Sequence, residues 1–365
     1  MLQGERLTEF QERYWRKQAC VFRNAIDFSA YPIAIIDVCQ LTLSELVESR
    51  MINANHELFL GPFENSGDSD GFVPENHLLL VQCLEQHLDS AESLLRDQFH
   101  FIPAWQVDDV MATVGGTGAT CGAHFDQYDV FLLQHQGNKR WQLDDGGHIE
   151  NDLDDNQEVR LLKGFKATQT YDLVPGDVLY LPPGIGHFGI CDGLSMTLSI
   201  GIRNPTPAEL LGDLSEFMIE GLAENTPMNN QLYGADSGLP AAVADELFGE
   251  VSRLFSPATL QRWYGCYVTR LREPELLCPD DAREYTNGMS LSVALPSRMS
   301  YARVGQMFYF FVNGDAFHLT DDDEAWVVTL CSARELQTGC LASSEGMDCL
   351  QSLLYAGAVV SSALP

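Results

Sequence analysis

Positive charge is scarce in this chain. Among 365 residues there are 21 lysines and arginines against 52 aspartates and glutamates, a formal net charge of -31. Such a surface repels phosphates, which argues against direct binding of DNA or RNA. It permits a basic protein partner, drawn in by long-range attraction, although acidity of this size also serves solubility alone. No apolar run is long enough to span a bilayer, so no membrane segment is expected. The opening Met1-Leu2-Gln3-Gly4-Glu5-Arg6 lacks a basic segment followed by an apolar one, the mark of a secretory leader, and the expected location is the cytoplasm. The 10 cysteines include no C-x-x-C pair, which argues against a zinc ribbon or a thioredoxin-like site. Reduced, buried thiols are the expectation. No internal repeat is visible.

The length suggests more than one compact unit. Residues Phe10 to Arg23 read as a short helix leading into a strand, and Ile33 to Val38 as a buried strand. The apolar spacing of Leu80, Leu84, Leu88, Ala91 and Leu95 predicts a helix over Leu78 to Phe99. From Trp105 the pattern changes to short strands with glycine and proline corners. Strands are expected at Gln106 to Val114, Tyr128 to Gln134, Arg140 to Leu143, Asp177 to Leu181 and Ser195 to Ile202. This punctuation points to a double-stranded β-helix, a jelly-roll barrel, within an α+β chain. At Thr206-Pro207-Ala208-Glu209 a capping box opens a helix carrying Leu210, Leu211, Leu214, Phe217, Met218 and Leu222. Two further helices follow, near Ala241 to Phe255 and Pro257 to Thr269, so that residues 206–272 form a helical block after a first domain of residues 1–205. The remainder, residues 273–365, holds a hairpin across Asn313-Gly314 and a helix near Ser343 to Leu354. A small helix-plus-hairpin unit of this kind resembles a winged helix, but its acidic Asp321-Asp322-Asp323-Glu324 argues against DNA reading.

The chemistry sits in His124-Phe125-Asp126 and the distant His187. Residues two apart on extended chain share a side, so His124 and Asp126 face the barrel interior and Phe125 faces away. His187 follows the corner Pro182-Pro183-Gly184-Ile185-Gly186, which begins a strand. Two imidazoles and one carboxylate on one face of a metal leave open positions for a co-substrate and oxygen, as in non-haem Fe(II) oxygenases. For His56, His77, His87, His100, His135, His148 and His318 a structural or surface role is the expectation. Lys139 and Arg140 compete for one inward position, from which a cation can pair with the distal carboxylate of a chelated dicarboxylate. Thr113, on the same face as Asp109 and Met111, can donate to that carboxylate. A buried Asp109 needs a cation, either a substrate side chain or an internal partner. Tyr128 either walls the substrate channel or belongs to the core.

These residues carry a family resemblance. From Trp105 to Asn204 the chain resembles the JmjC-type cupin oxygenases, and within them the bacterial ribosomal oxygenases of the YcfD group. The matching stretches are Asp108-Asp109-Val110-Met111, His124 to Phe131, Pro175 to Gly184 and Ser199-Ile200-Gly201. The resemblance implies dependence on Fe(II), 2-oxoglutarate and O2, with His124, Asp126 and His187 as iron ligands. It implies Lys139 and Thr113 as contacts of 2-oxoglutarate, with Ser199 and Thr197 beside them. It implies Asp109, Tyr128 and Met111 as contacts of a substrate arginine. The implied reaction is hydroxylation of an arginine β-carbon in ribosomal protein L-sixteen of the large subunit, by a homodimer formed through the helical block. Lys139 stands where some bacterial relatives carry arginine, and Thr197 where relatives carry asparagine. The rival readings are histidyl hydroxylation, lysine demethylation, a metal-dependent enzyme that needs no 2-oxoglutarate, and a non-catalytic cupin binding module.

Overall fold

A computed structural model describes residues 1–63, 73–154, 158–221, 241–279, 284–286, 289–337 and 343–361. Leu222, expected on a helix face, and Cys340 lie outside the described residues. The chain forms two compact units, Met1–Asn204 and Pro205–Pro365. The helical block and the hairpin region expected as separate domains both fall within the second unit.

The first unit opens with α1 (Gly4–Arg13), β1 (Cys20–Phe22), α2 (Ile35–Leu41), β2 (Ser49–Ile52), β3 (Leu58–Leu60), β4 (Leu78–Val81) and α3 (Asp89–Gln98). The barrel follows with β5 (Val107–Gly115), β6 (Val130–Asp144), β7 (Leu153–Asp154), β8 (Leu161–Leu162), β9 (Gln169–Leu173), β10 (Val178–Leu181) and β11 (Gly186–Ile202). One nine-stranded sheet runs β1-β10-β6-β11-β5-β4-β2-β3, with β9 on β6. Strands β6 and β11 are long enough to serve both halves of the barrel. Residues 130–133 of β6 pair with β10, and residues 139–143 pair with β9. The pairs Tyr128 to Gln134 with Arg140 to Leu143, expected as separate strands, are thus one continuous β6 that begins at Val130.

Three expectations in the N-terminal half are corrected. Ile33 to Val38 does not form a strand: Ile35–Leu41 is helical, and the Asp37 carboxylate accepts from the Ala34 N–H at 3.2 Å, fixing the first turn. Leu78 to Phe99 is not one helix. Leu78–Val81 is a strand buried on both faces between β2 and β5, where a continuous apolar run does not reveal its period. Cys83, with φ +55°, turns the chain before α3. The first helix lies at Gly4–Arg13, earlier than Phe10 to Arg23 suggested.

Both faces of β5 and β11 are buried, and they differ in kind. Val110, Ala112, Val114, Met196, Leu198 and Ile200 pack into the main core with Phe10, Phe99 and Phe131. The alternate residues Thr113, Thr197 and Ser199 are buried polar groups on the barrel side. Strand register shifts between Ile200 and Ile202, which pair with Val110 and Val107, so Asp108 and Asp109 together oppose Gly201 in a bulge.

The second unit contains α4 (Pro207–Glu220), α5 (Ala241–Leu254), α6 (Pro257–Thr269), β12 (Ser290–Val293), β13 (Met299–Val304), β14 (Met307–Val312), β15 (Asp315–Leu319), α7 (Glu324–Ala333), β16 (Glu335–Gln337), α8 (Ser344–Tyr355) and β17 (Val359–Ser361). The α4 capping box forms as the sequence demands, with Glu209 N–H donating to Thr206 Oγ1 at 3.2 Å and Thr206 N–H to Glu209 Oε2 at 2.7 Å. Strands β14 and β15 make the expected hairpin, with Asn313 and Gly314 both at positive φ as a two-residue turn requires. Its core gathers Phe308, Phe310, Trp326, Leu330, Leu350 and Leu353.

Candidate metal and co-substrate site

The triad converges because the backbone joins its two histidines. His124 N–H donates to the His187 carbonyl at 3.0 Å, and His187 N–H returns to the His124 carbonyl at 2.7 Å. The rings lie with centroids 4.2 Å apart. Extended strand was expected around His124, but the pairing is this single bridge, and Asp126 and Tyr128 lie beyond it without strand structure. The Gly184 N–H holds that segment through the Asp126 carbonyl at 2.8 Å. Phe125 turns away, as alternation requires, into a cluster with Leu153 and Leu162.

Ligand atoms of His124, Asp126 and His187 all lie within 4.8 Å of one another. Asp126 Oδ2 is 3.6 Å from His187 Nε2. Each imidazole has its Nδ1 within reach of a backbone carbonyl: Gly122 O at 3.0 Å for His124, and Ile185 O at 3.1 Å for His187. A proton on Nδ1 satisfies both bonds and leaves each Nε2 lone pair for a cation. Gly122 turns its carbonyl to that task with φ +88°, where an added Cβ would also strike Leu161 and His56. Burial, then the neighbouring His124, push His187 down to about 4. At His124 burial is outweighed by the Cys121 sulfur and Asp126, which raise it to about 10. The donor set and its tautomers fit a divalent metal.

Deeper in the barrel the contest between two cations is decided. Lys139 is 3% exposed, whereas Arg140 points out to pair with Asp172 at 2.7 Å. Lys139 Nζ donates to Thr113 Oγ1 at 3.3 Å, and that hydroxyl reaches the Thr197 carbonyl at 3.5 Å. The Thr197 hydroxyl donates to Gln134 Oε1 at 3.1 Å, so its proton is committed to the strand junction. Gln134 Nε2 in turn donates to Ser195 Oγ at 2.9 Å. Ser199, buried, is in register with Met111 across β5 and β11. This polar chain stiffens the ground beneath Lys139. A lysine ammonium buried in a barrel is kept there by what it binds.

At the other side stand Asp109 and Tyr128. Asp109 is 8% exposed; the Cys83 N–H approaches its Oδ2 at 3.5 Å, and the Gln82 amide, turned to face it, donates at 2.5 Å while accepting from Arg50. A Cβ added to Gly201 would sit 3.5 Å from Asp109 Oδ1 and 3.7 Å from the Tyr128 ring, which places this glycine beside both. Tyr128 is 40% exposed. The Asp126 charge, then burial, then Asp109 and Asp108, push its phenol up, so it remains a donor. Met111 packs beside Cys121 and Cys191 on the same side of β5. Gln134, Cys121 and Trp141 were not singled out from sequence. For Trp141 the signal was present: it lies two residues from Lys139 on the same strand face.

Comparison with known proteins places the two units. Residues 94–210 match the JmjC domain family, and residues 252–359 match the ROXA-like winged helix. The chain is 28% identical over 287 residues to ribosomal protein uL16 3-hydroxylase of Escherichia coli, covering 75% of this chain and 74% of that one. It is 30% identical over 212 residues to a probable ribosomal oxygenase of Haemophilus influenzae, covering 57% of this chain and 52% of the relative. The solved structure of E. coli YcfD superposes with a TM-score of 0.84 at 23% identity, covering 99% of each chain. The same protein in complex with cobalt and 2-oxoglutarate superposes with a TM-score of 0.80 at 22% identity, covering 100% of this chain and 99% of that one. These structures share the fold.

Proposed function

From a chain that is a JmjC-domain protein with a ROXA-like winged helix, homologous to the E. coli uL16 3-hydroxylase, we infer an Fe(II)- and 2-oxoglutarate-dependent oxygenase that hydroxylates the β-carbon of an arginine in ribosomal protein uL16. The observation that carries this reading is the convergence of His124, Asp126 and His187 in the same barrel as a buried Lys139. His124 and His187 would hold iron through Nε2 and Asp126 through its carboxylate. Iron with 2-oxoglutarate would supply the oxidising power to place one atom of O2 on an unactivated carbon, the other leaving in succinate as carbon dioxide is lost.

The chain's own residues do the positioning. Lys139 pairs with the distal carboxylate of 2-oxoglutarate, and Thr113 keeps the ammonium in place and donates beside it. Thr197 and Ser199 lie beside them on β11, in register with Thr113 and Met111. Asp109 takes the substrate guanidinium, the Tyr128 phenol oxygen accepts from an N–H at its edge and Met111 packs against its aliphatic stem. Gripping the far end of the side chain sets which carbon meets the metal. Mass spectrometry of a uL16 peptide incubated with the iron-loaded protein, 2-oxoglutarate and O2 is the test. One added oxygen on an arginine β-carbon is expected; no mass change sinks the assignment.

Residues 1–205 form the catalytic domain, 206–272 a dimerisation region and 273–365 a winged-helix-like domain. A homodimer is supported by the apolar side chains exposed on α4 and α5, among them Leu211 at 60%, Ile219 at 67% and Phe248 at 75%. Light scattering of the Phe248→Asp variant, expected to be monomeric, checks this. The net charge of -31 suits a basic ribosomal protein and disfavours direct nucleic-acid contact. Such a substrate places the work in the cytoplasm, and no helix among the described residues is long and apolar enough to cross a membrane.

A further inference from the structure

Trp141 is 4% exposed, and its indole Nε1–H has no hydrogen-bond partner among the described residues. Buried donors are almost always satisfied, so an orphan in a functional barrel calls for a cause. The ring occupies a particular interval. Lys139 Nζ lies 4.7 Å from its centroid, and the His187 ring lies 5.8 Å away on the metal side. It thus lies near both the anchoring cation and a metal ligand, the two ends that a chelated dicarboxylate must join. The seat is built: Trp141 pairs across the sheet with Gly189, where a Cβ would stand 2.7 Å from Cζ3, 2.8 Å from Cη2 and 2.9 Å from Lys139 Cε. A glycine is required there for the indole and the lysine stem to lie as they do.

We propose that Trp141 is a further recognition residue for the co-substrate: its Nε1–H donates to a carboxylate of bound 2-oxoglutarate, while its ring face holds the Lys139 ammonium at its post. The inference rests on the reading of this barrel as a 2-oxoglutarate site. An aromatic face steadies a desolvated ammonium, and an indole N–H to a carboxylate is a charge-assisted bond made only when the ligand is present. The same N–H destabilises the ligand-free protein, because its hydration is lost and no described residue replaces it. Binding and stability therefore respond in opposite directions to its removal.

The experiment uses the full chain loaded with Mn(II), with 2-oxoglutarate titrated by calorimetry and ligand-free unfolding followed by heating. Trp141→Phe keeps a ring beneath Lys139 and deletes the N–H. It is expected to weaken 2-oxoglutarate binding by about ten- to a hundredfold, with the ligand-free unfolding midpoint unchanged or raised. Trp141→Leu removes the ring face as well and is expected to bind more weakly still. Wild-type affinity in Trp141→Phe overturns the proposal. So does a fall in its ligand-free midpoint, which marks a packing residue only. A wild-type protein that binds no 2-oxoglutarate would instead remove the reading of the site, and the wild-type titration reports that separately.

Discussion

The interiors of the two units are built on different rules. In the second unit the buried polar residues among those described are Thr269, Ser297 and Asp323, and each is accounted for by local structure. Thr269 donates to the Gly265 carbonyl at 2.9 Å, Ser297 accepts from Asn313 at 3.2 Å, and Asp323 accepts from Thr320, Trp326 and Ser343. Around them lie phenylalanines, leucines and a tryptophan. In the first unit Lys139, Gln134, Thr113, Thr197, Ser199, His187 and Asp109 are buried within one barrel. Polar groups that only cap and turn the chain belong to stability. Polar groups that share one interior at the expense of stability belong to function.

That contrast can be broken in order of effect. Asp126→Ala removes a ligand from the cluster and is expected to leave no detectable turnover, with metal affinity falling in a direct titration; retained activity would detach the chemistry from this site. Phe310→Ala, in the fully buried core of the second unit, is expected to cost about 3–5 kcal/mol of stability in denaturant unfolding, while the affinity for 2-oxoglutarate stays as it was. Lys139→Met is the reverse case: about 2–5 kcal/mol of co-substrate binding is lost, and ligand-free stability does not fall. Arg140→Ala beside it, a surface ion pair, is expected to change either measurement by less than about 1 kcal/mol. A Lys139→Met protein that bound 2-oxoglutarate normally would end the division between the two interiors.

The smallest effect is a pH dependence. Burial would raise the Asp323 carboxyl, but hydrogen bonds from Ser343, Trp326 and Thr320 outweigh it and hold the group below its ordinary 3.8. A carboxyl with a lowered folded value contributes its stability above the unfolded value and loses it as pH falls through the folded one. Urea unfolding of Asp323→Asn against the wild type is expected to show a difference that is full at neutral pH and shrinks below 3.8. A difference independent of pH would assign Asp323 a packing role alone.

Much of the site was legible because its chemistry leaves a period in the sequence. His124 and Asp126 share a side while Phe125 does not, and strand alternation left one inward place for Lys139 or Arg140. What alternation lacks is direction, and only the pairing of β6 with β11 chose the lysine. The capping box at Thr206 and the turn at Asn313-Gly314 were readable for the same local reason: their hydrogen bonds close within a few residues. Leu78 to Val81 was not readable, because a strand buried on both faces has no alternation to show. The bulge at Asp108 and Asp109 was hidden as well, since it exists only against Gly201 of a partner strand. The orphaned indole of Trp141 needed coordinates, for sequence cannot tell a satisfied donor from an idle one.

The mutual backbone bonds between His124 and His187 have one more consequence. Two of the three groups that would grip iron are stitched to each other by main chain, so their spacing is inherited from folding and not from the ion. Were an ion held there to leave, the main chain would still keep the two histidines paired.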